Sequence, residues 1–197
     1  EWSQRGYDKF TALAETPSLA PHINSKAYIG GLYDTGSGQI QPLKYLLGLA
    51  RAATAAGARI FEHSRVTKID RGKQKTLHFD KAPSLTAARV LLCGNAYLAH
   101  IGLPEMTRRL AQVTSSVLAT TPLSDNMIQH ILPSRATVAD CNTALKYFRI
   151  DADNRMIFGG RASYTNVSLG NVEADLRRRI FAVFPILADA EIDSVKP

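Results

Sequence analysis

The chain has 197 residues, enough for one large domain or for parts of two. With 45% hydrophobic and 21% charged residues it has the composition of a globular protein, which excludes disorder for the body of the chain. The net charge of +7 favours anionic ligands, but the basic residues are scattered and lack interleaved aromatics, so we expect no nucleic-acid partner.

The two cysteines, Cys93 and Cys141, show no CxxC or Cys/His spacing, so we expect no zinc site. Cys93 ends an apolar run, which predicts a buried free thiol and favours a reducing, cytoplasmic compartment. No apolar stretch is long enough to span a membrane and no signal peptide opens the chain, so we expect no membrane partner. The first residue is Glu1 rather than Met, as in a processed or cut chain.

In chain order, the first elements are a helix, a strand and a second helix. Residues 2–14 carry apolar side chains at helical spacing and predict a short helix. Residues 27–33 predict a strand whose glycine pair marks a bulge or a close backbone approach. A turn-rich loop over residues 34–39 leads to Pro42, which predicts the first turn of an amphipathic helix that ends before Gly57.

The middle of the chain predicts strands. Residues 58–61 follow the second helix and would complete half of a βαβ crossover. Alternating patterns over Val66–Asp70 and Lys75–Phe79, joined by a polar turn, predict a hairpin. The apolar run over residues 88–93 predicts a strand buried on both faces, ending at Gly94-Asn95-Ala96, where ligands bind in open α/β sheets.

The pattern changes after residue 112. Strands and helices are predicted in the order strand 113–120, helix 124–132, hairpin 145–150 with 156–158, helix 172–184 and strand 190–195. The fold class predicted is therefore α/β plus α+β, with a first mixed segment in residues 1–33, α/β sheet in 34–105, and antiparallel sheet plus helices in 106–197.

Common catalytic motifs are absent from the sequence, including GxSxG, HExxH and GxGxxG. Three segments could carry a site, one of which is the turn-rich loop over residues 33–42. The small residues of Gly94-Asn95-Ala96 would let a phosphate or ribose approach the backbone, although a tight turn would explain them equally well. Arg149, flanked by Tyr147 and Phe148, could bind a carboxylate, with a cross-strand ion pair or an exposed edge as the alternative.

The order of several motifs resembles the D-amino-acid-oxidase-like FAD oxidoreductases. The passage from Gly30-Gly31-Leu32-Tyr33 to Gly38 and Pro42 is similar to that family's GG-x-Y-x-x-x-x-G-x-x-x-P stretch. The segments Gly57-Ala58-Arg59-Ile60 and Leu92-Cys93-Gly94-Asn95 match further stretches. Tyr147-Phe148-Arg149 and Ile157-Phe158-Gly159-Gly160-Arg161 most resemble the gamma-glutamylputrescine oxidoreductase branch. The resemblance covers residues 30–193.

The resemblance implies FAD as cofactor and a small-molecule amine or amino acid as substrate, oxidised at the carbon next to its nitrogen by hydride transfer to flavin. It places Val66 and Thr67 near the adenosine of FAD, and Gly94, Asn95 and Ala96 near its ribose–diphosphate. It places Arg149 and Tyr147 in the substrate pocket, and Gly159 and Gly160 where the chain passes close to the flavin.

The sequence departs from this family in lacking the amino-terminal βαβ unit with GxGxxG and the carboxyl-terminal glycine-rich segment. We therefore expect residues 34–105 to be the trailing part of a Rossmann-like FAD domain, and residues 1–33 and 106–197 to belong to the substrate domain, in a central fragment of a larger enzyme. Such a fragment would be inactive alone, would not retain FAD and would tend to self-associate. The alternative is a non-enzymatic, truncated binding or assembly module.

Overall fold

A computed structural model describes residues 2–14, 16–101, 103–111, 113–143, 145–163 and 170–196. The chain divides into two compact units. The sheet unit comprises Glu1–Gln39 and Val113–Pro197, and the meander unit comprises Ile40–Gln112. None of the helices in the described ranges is long and apolar enough to cross a membrane.

The sheet unit is built around a five-stranded antiparallel sheet. Its strands are β6 (Thr114–Thr120), β7 (Val138–Ala139), β8 (Tyr147–Ile150), β9 (Met156–Ser163) and β10 (Ile192–Lys196). They lie side by side in the order β10-β6-β9-β8-β7. Two helices, α4 (Asp125–Ile131) and α5 (Val172–Val183), begin at the side-chain caps Ser124 and Asn171. The antiparallel sheet and helices predicted after residue 112 are confirmed.

One row of side chains across this sheet forms the core. The register aligns Val138, Phe148, Phe158, Leu118 and Val195 on five neighbouring strands, so they share one face. On that face they pack against apolar side chains of both helices, namely Ile128, Ile131, Leu176, Ile180 and Val183. Because side chains alternate along a strand, Tyr147 and Arg149 lie on the opposite face.

The amino-terminal segment of the sheet unit contains β1 (Phe10–Leu13), α1 (Thr16–Leu19) and β2 (Gly31–Asp34), with β1 and β2 paired antiparallel. The helix predicted for residues 2–14 is wrong. Only a 3-10 turn, Ser3–Arg5, forms before Gly6 adopts the left-handed φ of 81°. The aromatic rings of Trp2, Tyr7 and Phe10 pack against one another instead.

The meander unit contains one long helix and a three-stranded antiparallel sheet whose strands lie side by side in chain order. Its elements are α2 (Pro42–Ala55), β3 (Val66–Asp70), β4 (Lys75–Phe79), β5 (Leu85–Ala87), a 3-10 helix (Asn95–His100) and α3 (Pro104–Thr107). Helix α2 begins as predicted, because the Gln41 side chain accepts a hydrogen bond from the Lys44 backbone N–H at 2.6 Å and Pro42 occupies the first turn. Gly57 follows with a φ of 91°.

Two predicted strands of the meander unit are absent. Residues 58–61 and 88–93 form neither helix nor strand, and Leu91 is 88% exposed. Cys93, predicted to be buried, is exposed. Apolar composition favours an extended chain, but a strand also needs a hydrogen-bonding neighbour, and no described strand lies beside either segment. Every strand pair among the described residues is antiparallel, so the partial Rossmann-like sheet is not confirmed.

Candidate functional site

The sheet unit places Tyr147 and Arg149 side by side on the face of β8 that points away from the core. Both are half-buried, while the intervening Phe148 and the following Ile150 are buried on the core face. Strand alternation therefore brings the two predicted substrate-binding residues together on one surface.

The hydroxyl group of Tyr147 is held by a residue that sequence reasoning missed. Ser115 on β6 forms a 2.6 Å hydrogen bond with the Tyr147 hydroxyl, and either oxygen can donate. The two residues belong to strands separated by β9, so the tyrosine ring crosses over the strand between them. Alternation within residues 113–120 could have placed Ser115 on this face, but only the long-range pairing of β6 with β9 brings it to Tyr147.

Gly159 is the residue that the tyrosine ring crosses. It pairs directly with Tyr147 in the β8–β9 register. A Cβ atom at Gly159 would lie less than 3.0 Å from the aromatic carbons and hydroxyl of Tyr147, a separation that real Cβ atoms essentially never show. The ring of Tyr147 therefore fills the space that a side chain at Gly159 would occupy. The predicted approach of Gly159 to a flavin remains a prediction.

Gly160 lies at an irregularity between β6 and β9. Ser116 pairs with Arg161 while Val117 pairs with Gly159, so Gly160 is the extra residue of a bulge. The backbone carbonyl of Gly160 accepts a 2.9 Å hydrogen bond from the guanidinium of Arg179 on α5. The bulge is thus fixed to the helix behind it.

The guanidinium of Arg149 is oriented by a neighbouring amide. Its Nη1 donates to Oε1 of Gln39 at 3.3 Å, and Nε2 of Gln39 donates to the backbone carbonyl of Arg135, also at 3.3 Å. The residue opposite Arg149 on β9 is the apolar Ile157. A planar guanidinium positioned in this way can bind a carboxylate through two parallel hydrogen bonds.

The meander unit brings two of the predicted cofactor residues together. Val66 and Gly94 line one cavity of about 520 Å³, with Arg65, Tyr97, Leu98 and Ile101 completing the lining. Asn95 has a left-handed φ of 46°, and Ala96 lies in the 3-10 helix that follows. Thr67 does not line this cavity, and its hydroxyl donates to the His78 carbonyl at 3.2 Å.

The chemistry of this cavity fits part of a dinucleotide. Its volume lies within the range of about 300–1,000 Å³ that is typical of small-molecule sites. Arg65 adds a cation that suits an anionic phosphate group, and the otherwise largely apolar lining suits the planar base of a nucleotide. Within the described residues, no group of three or more His, Cys, Asp or Glu side chains is placed to hold a metal ion.

Comparisons with known proteins agree with one another. Among curated relatives, the probable oxidoreductase OrdL of Rhizobium meliloti (strain 1021) is 35% identical over 187 residues, covering 95% of this chain and 43% of its own length. The gamma-glutamylputrescine oxidoreductase of Escherichia coli (strain K12) is 32% identical over 192 residues, covering 98% of this chain and 45% of its own length. The chain thus spans less than half the length of these relatives.

Solved structures share the fold at lower identity. Glycine oxidase from Geobacillus kaustophilus superposes with a TM-score of 0.74 at 22% identity, covering 98% of this chain and 51% of its own. L-proline dehydrogenase from P. horikoshii gives the same TM-score of 0.74 at 14% identity, with 98% and 53% coverage. The family described as "FAD dependent oxidoreductase" (DAO) matches residues 1–195. The chain therefore belongs to the DAO family of FAD-dependent oxidoreductases.

Proposed function

We propose that the protein oxidises the CH–NH bond of a small amine or amino acid, with Tyr147 and Arg149 binding the substrate. The observation that carries this proposal is the shared surface of these two side chains, one oriented by Ser115 and the other by Gln39. Two fixed polar groups on a half-buried sheet face are suited to orienting a small polar molecule.

The role of each residue in binding follows from the chemistry of its side chain or backbone. Arg149 binds a carboxylate of the substrate, and the Tyr147 hydroxyl donates a hydrogen bond to a second polar atom. In the meander unit, Val66, Gly94, Asn95 and Ala96 hold the nucleotide portion of FAD, with Thr67 at the neighbouring strand position. Gly159 and Gly160 have no side chains of their own where the strand passes close to the isoalloxazine. Bound FAD supplies the hydride acceptor.

The substrate we favour is a gamma-glutamylated diamine, because such a molecule combines an amine to be oxidised with a distant α-carboxylate for Arg149. The name of the Escherichia coli relative supports this choice. The protein would then act in putrescine catabolism. Its two free, exposed thiols favour the cytoplasm as the compartment.

The test is turnover in the full-length protein with and without Arg149. Flavin content is read from the absorbance spectrum, and oxidation of gamma-glutamylputrescine is compared with that of putrescine, glycine and proline. We expect Arg149→Leu to raise the KM of the carboxylate-bearing substrate about tenfold or more, equivalent to about 1.4 kcal/mol of lost binding, with flavin content unchanged.

The matched control is Arg178→Leu, which removes a guanidinium from α5 that is 77% exposed. It should leave KM unchanged. Unchanged kinetics in Arg149→Leu would remove Arg149 from the site. A full-length protein that binds no flavin and oxidises no amine would instead favour the non-enzymatic binding module.

A further inference from the structure

The turn-rich loop that follows β2 reaches the candidate site through its last residue, Gln39. Residues 34–39 all belong to the sheet unit, as does Arg149, whose guanidinium donates to the Gln39 side chain. The two residues lie 110 positions apart in the chain, so only the folded sheet unit brings them together. A segment that the sequence marks as a possible site therefore contributes a side chain to the same surface as Arg149.

The start of this loop is held by the carboxylate of Asp34. One oxygen accepts from the Tyr7 hydroxyl at 2.6 Å and from the Gly36 backbone N–H at 2.8 Å. The other oxygen accepts from the Ser37 hydroxyl at 2.5 Å. These hydrogen bonds, that from Ser37 first, lower the pKa of Asp34, so the carboxylate is charged at neutral pH. A Cβ atom at Gly36 would lie 2.5 Å from the Tyr7 hydroxyl, which shows how closely the loop packs there.

The end of the loop is held by the backbone of Arg135. Nε2 of Gln39 donates to the Arg135 carbonyl at 3.3 Å. Arg135 has a left-handed φ of 54°, which is uncommon for a residue other than glycine. Its guanidinium donates to Oδ1 of Asn154, and its backbone N–H donates to the Leu132 carbonyl at 2.9 Å. These contacts fix the direction of the carbonyl group that Gln39 faces.

The two neighbours of the Gln39 amide allow it only one orientation. The Arg135 carbonyl can only accept a hydrogen bond, and the guanidinium of Arg149 can only donate one. The amide NH₂ group therefore faces Arg135, and the amide oxygen faces Nη1 of Arg149 at 3.3 Å. A fixed, neutral acceptor thus lies where a glutamate of the same size would form an ion pair with the guanidinium.

We propose that Gln39 sets the preference of the amine site for substrates that carry a carboxylate. It is a positioning residue, because its amide holds the guanidinium of Arg149 in place without adding a negative charge beside it. This role rests on the proposed function, in which Arg149 binds the carboxylate of the substrate. A glutamate at position 39 would bring a second carboxylate to the guanidinium and compete with that of the substrate.

The test is steady-state kinetics of the full-length protein with Gln39→Glu and Gln39→Ala. In Gln39→Glu we expect the KM of gamma-glutamylputrescine to rise at least tenfold. The Ki of putrescine as a competing amine, which has no carboxylate, should stay unchanged or fall. In Gln39→Ala the KM should rise only about threefold, since the guanidinium loses a contact but meets no competing charge.

The order of the two variants distinguishes this role from a structural one. Glutamate has the shape of glutamine whereas alanine removes the whole amide, so a purely structural role predicts the larger effect in Gln39→Ala. The matched control is Gln129→Glu, which makes the same change of charge at an exposed position of α4 and should leave both constants unchanged.

The role of Gln39 would be overturned by an unchanged KM in Gln39→Glu, by a larger rise in Gln39→Ala, or by a parallel rise of KM and putrescine Ki in Gln39→Glu. Arg149→Leu separates these outcomes from a failure of the proposed function. If Arg149→Leu raises the KM and Gln39→Glu does not, only the role of Gln39 is wrong. If Arg149→Leu leaves the KM unchanged, or the parent oxidises no carboxylate-bearing amine, the proposed function is wrong and the role of Gln39 is overturned with it.

Discussion

The aromatic ring of Tyr147 occupies the space in which a side chain at Gly159 would lie. The two residues face each other across β8 and β9, and the ring passes over the glycine to reach Ser115 on β6. Tyr147-Phe148-Arg149 and Phe158-Gly159-Gly160, which are separate motifs in the sequence, therefore form one structural feature. The orientation of the tyrosine depends on the glycine as much as on the serine.

Gly159→Ala tests this dependence. Gly159 has no positive φ, so the effect of a methyl group there is steric: it displaces the Tyr147 ring and breaks its hydrogen bond to Ser115. We expect the free energy of unfolding to fall by about 1–3 kcal/mol, as is usual for overpacking. Urea denaturation measures the change.

The neighbouring glycine provides the control for this variant. A Cβ atom at Gly160 would meet no atom closer than 3.4 Å. Gly160→Ala should therefore lower the free energy of unfolding clearly less than Gly159→Ala does. If both alanine variants unfold at the same urea concentration, the Tyr147–Gly159 contact is not what requires glycine at position 159.

Thr120 is a buried polar side chain that accepts a hydrogen bond from the backbone. It is fully buried, and its Oγ1 accepts a 3.0 Å hydrogen bond from the backbone N–H of Met156 at the start of β9. In Thr120→Val the Met156 N–H loses its acceptor, which we expect to destabilise the fold by about 1–3 kcal/mol. Hydrogen exchange at the Met156 amide should accelerate relative to its neighbours.

Thr120→Ser keeps the hydroxyl group and should keep the Met156 amide protected, even though a methyl group is lost. Thr114→Val, at the exposed end of the same strand, should leave the exchange pattern unchanged. Equal protection of Met156 in Thr120→Val and Thr120→Ser would show that the threonine hydroxyl is not the acceptor that matters.

The elements that the sequence predicts well are those with local signals. Helix α2 is marked by Pro42 and Gly57, and α4 by its cap Ser124, whose side chain accepts from the Met127 N–H at 3.2 Å. Strands β3 and β4 are predicted at their observed boundaries from alternation and a polar turn. Each of these signals acts within a few residues, so no knowledge of the remaining chain is needed.

Long-range pairing accounts for what the sequence does not predict. Residues 58–61 and 88–93 have strand composition, but their sequence does not specify a neighbouring strand. At the candidate site, alternation places Tyr147 and Arg149 on one face. The contact of the Tyr147 ring with Gly159 depends on the register of β8 with β9, and the bulged pairing of β6 with β9 brings Ser115 to the tyrosine hydroxyl.

Asp140 makes one part of the stability depend on pH. Burial by itself raises the pKa of this carboxyl group, but hydrogen bonds from the backbone N–H groups of Lys146 and Asn142 and from both of their side chains outweigh burial. The pKa of Asp140 therefore lies below its ordinary value in the folded protein. Its contribution to stability is fully present above the unfolded-state pKa of about 3.9 and is lost as the pH falls through the lower, folded-state pKa.

Asp140→Asn should remove this contribution and lower the free energy of unfolding at neutral pH by about 1–3 kcal/mol, because hydrogen bonds to a charged acceptor are lost. The difference in the free energy of unfolding between the parent and Asp140→Asn should then shrink as the pH drops below about 4, because the carboxylate of the parent is also neutralised there. Urea denaturation at a series of pH values measures this difference. Asp8→Asn replaces a carboxylate that is 80% exposed, so its free energy of unfolding should be almost the same as that of the parent at any pH. If the difference in the free energy of unfolding between the parent and Asp140→Asn stays constant down to the acid transition, the asparagine acts through packing rather than through the lost charge.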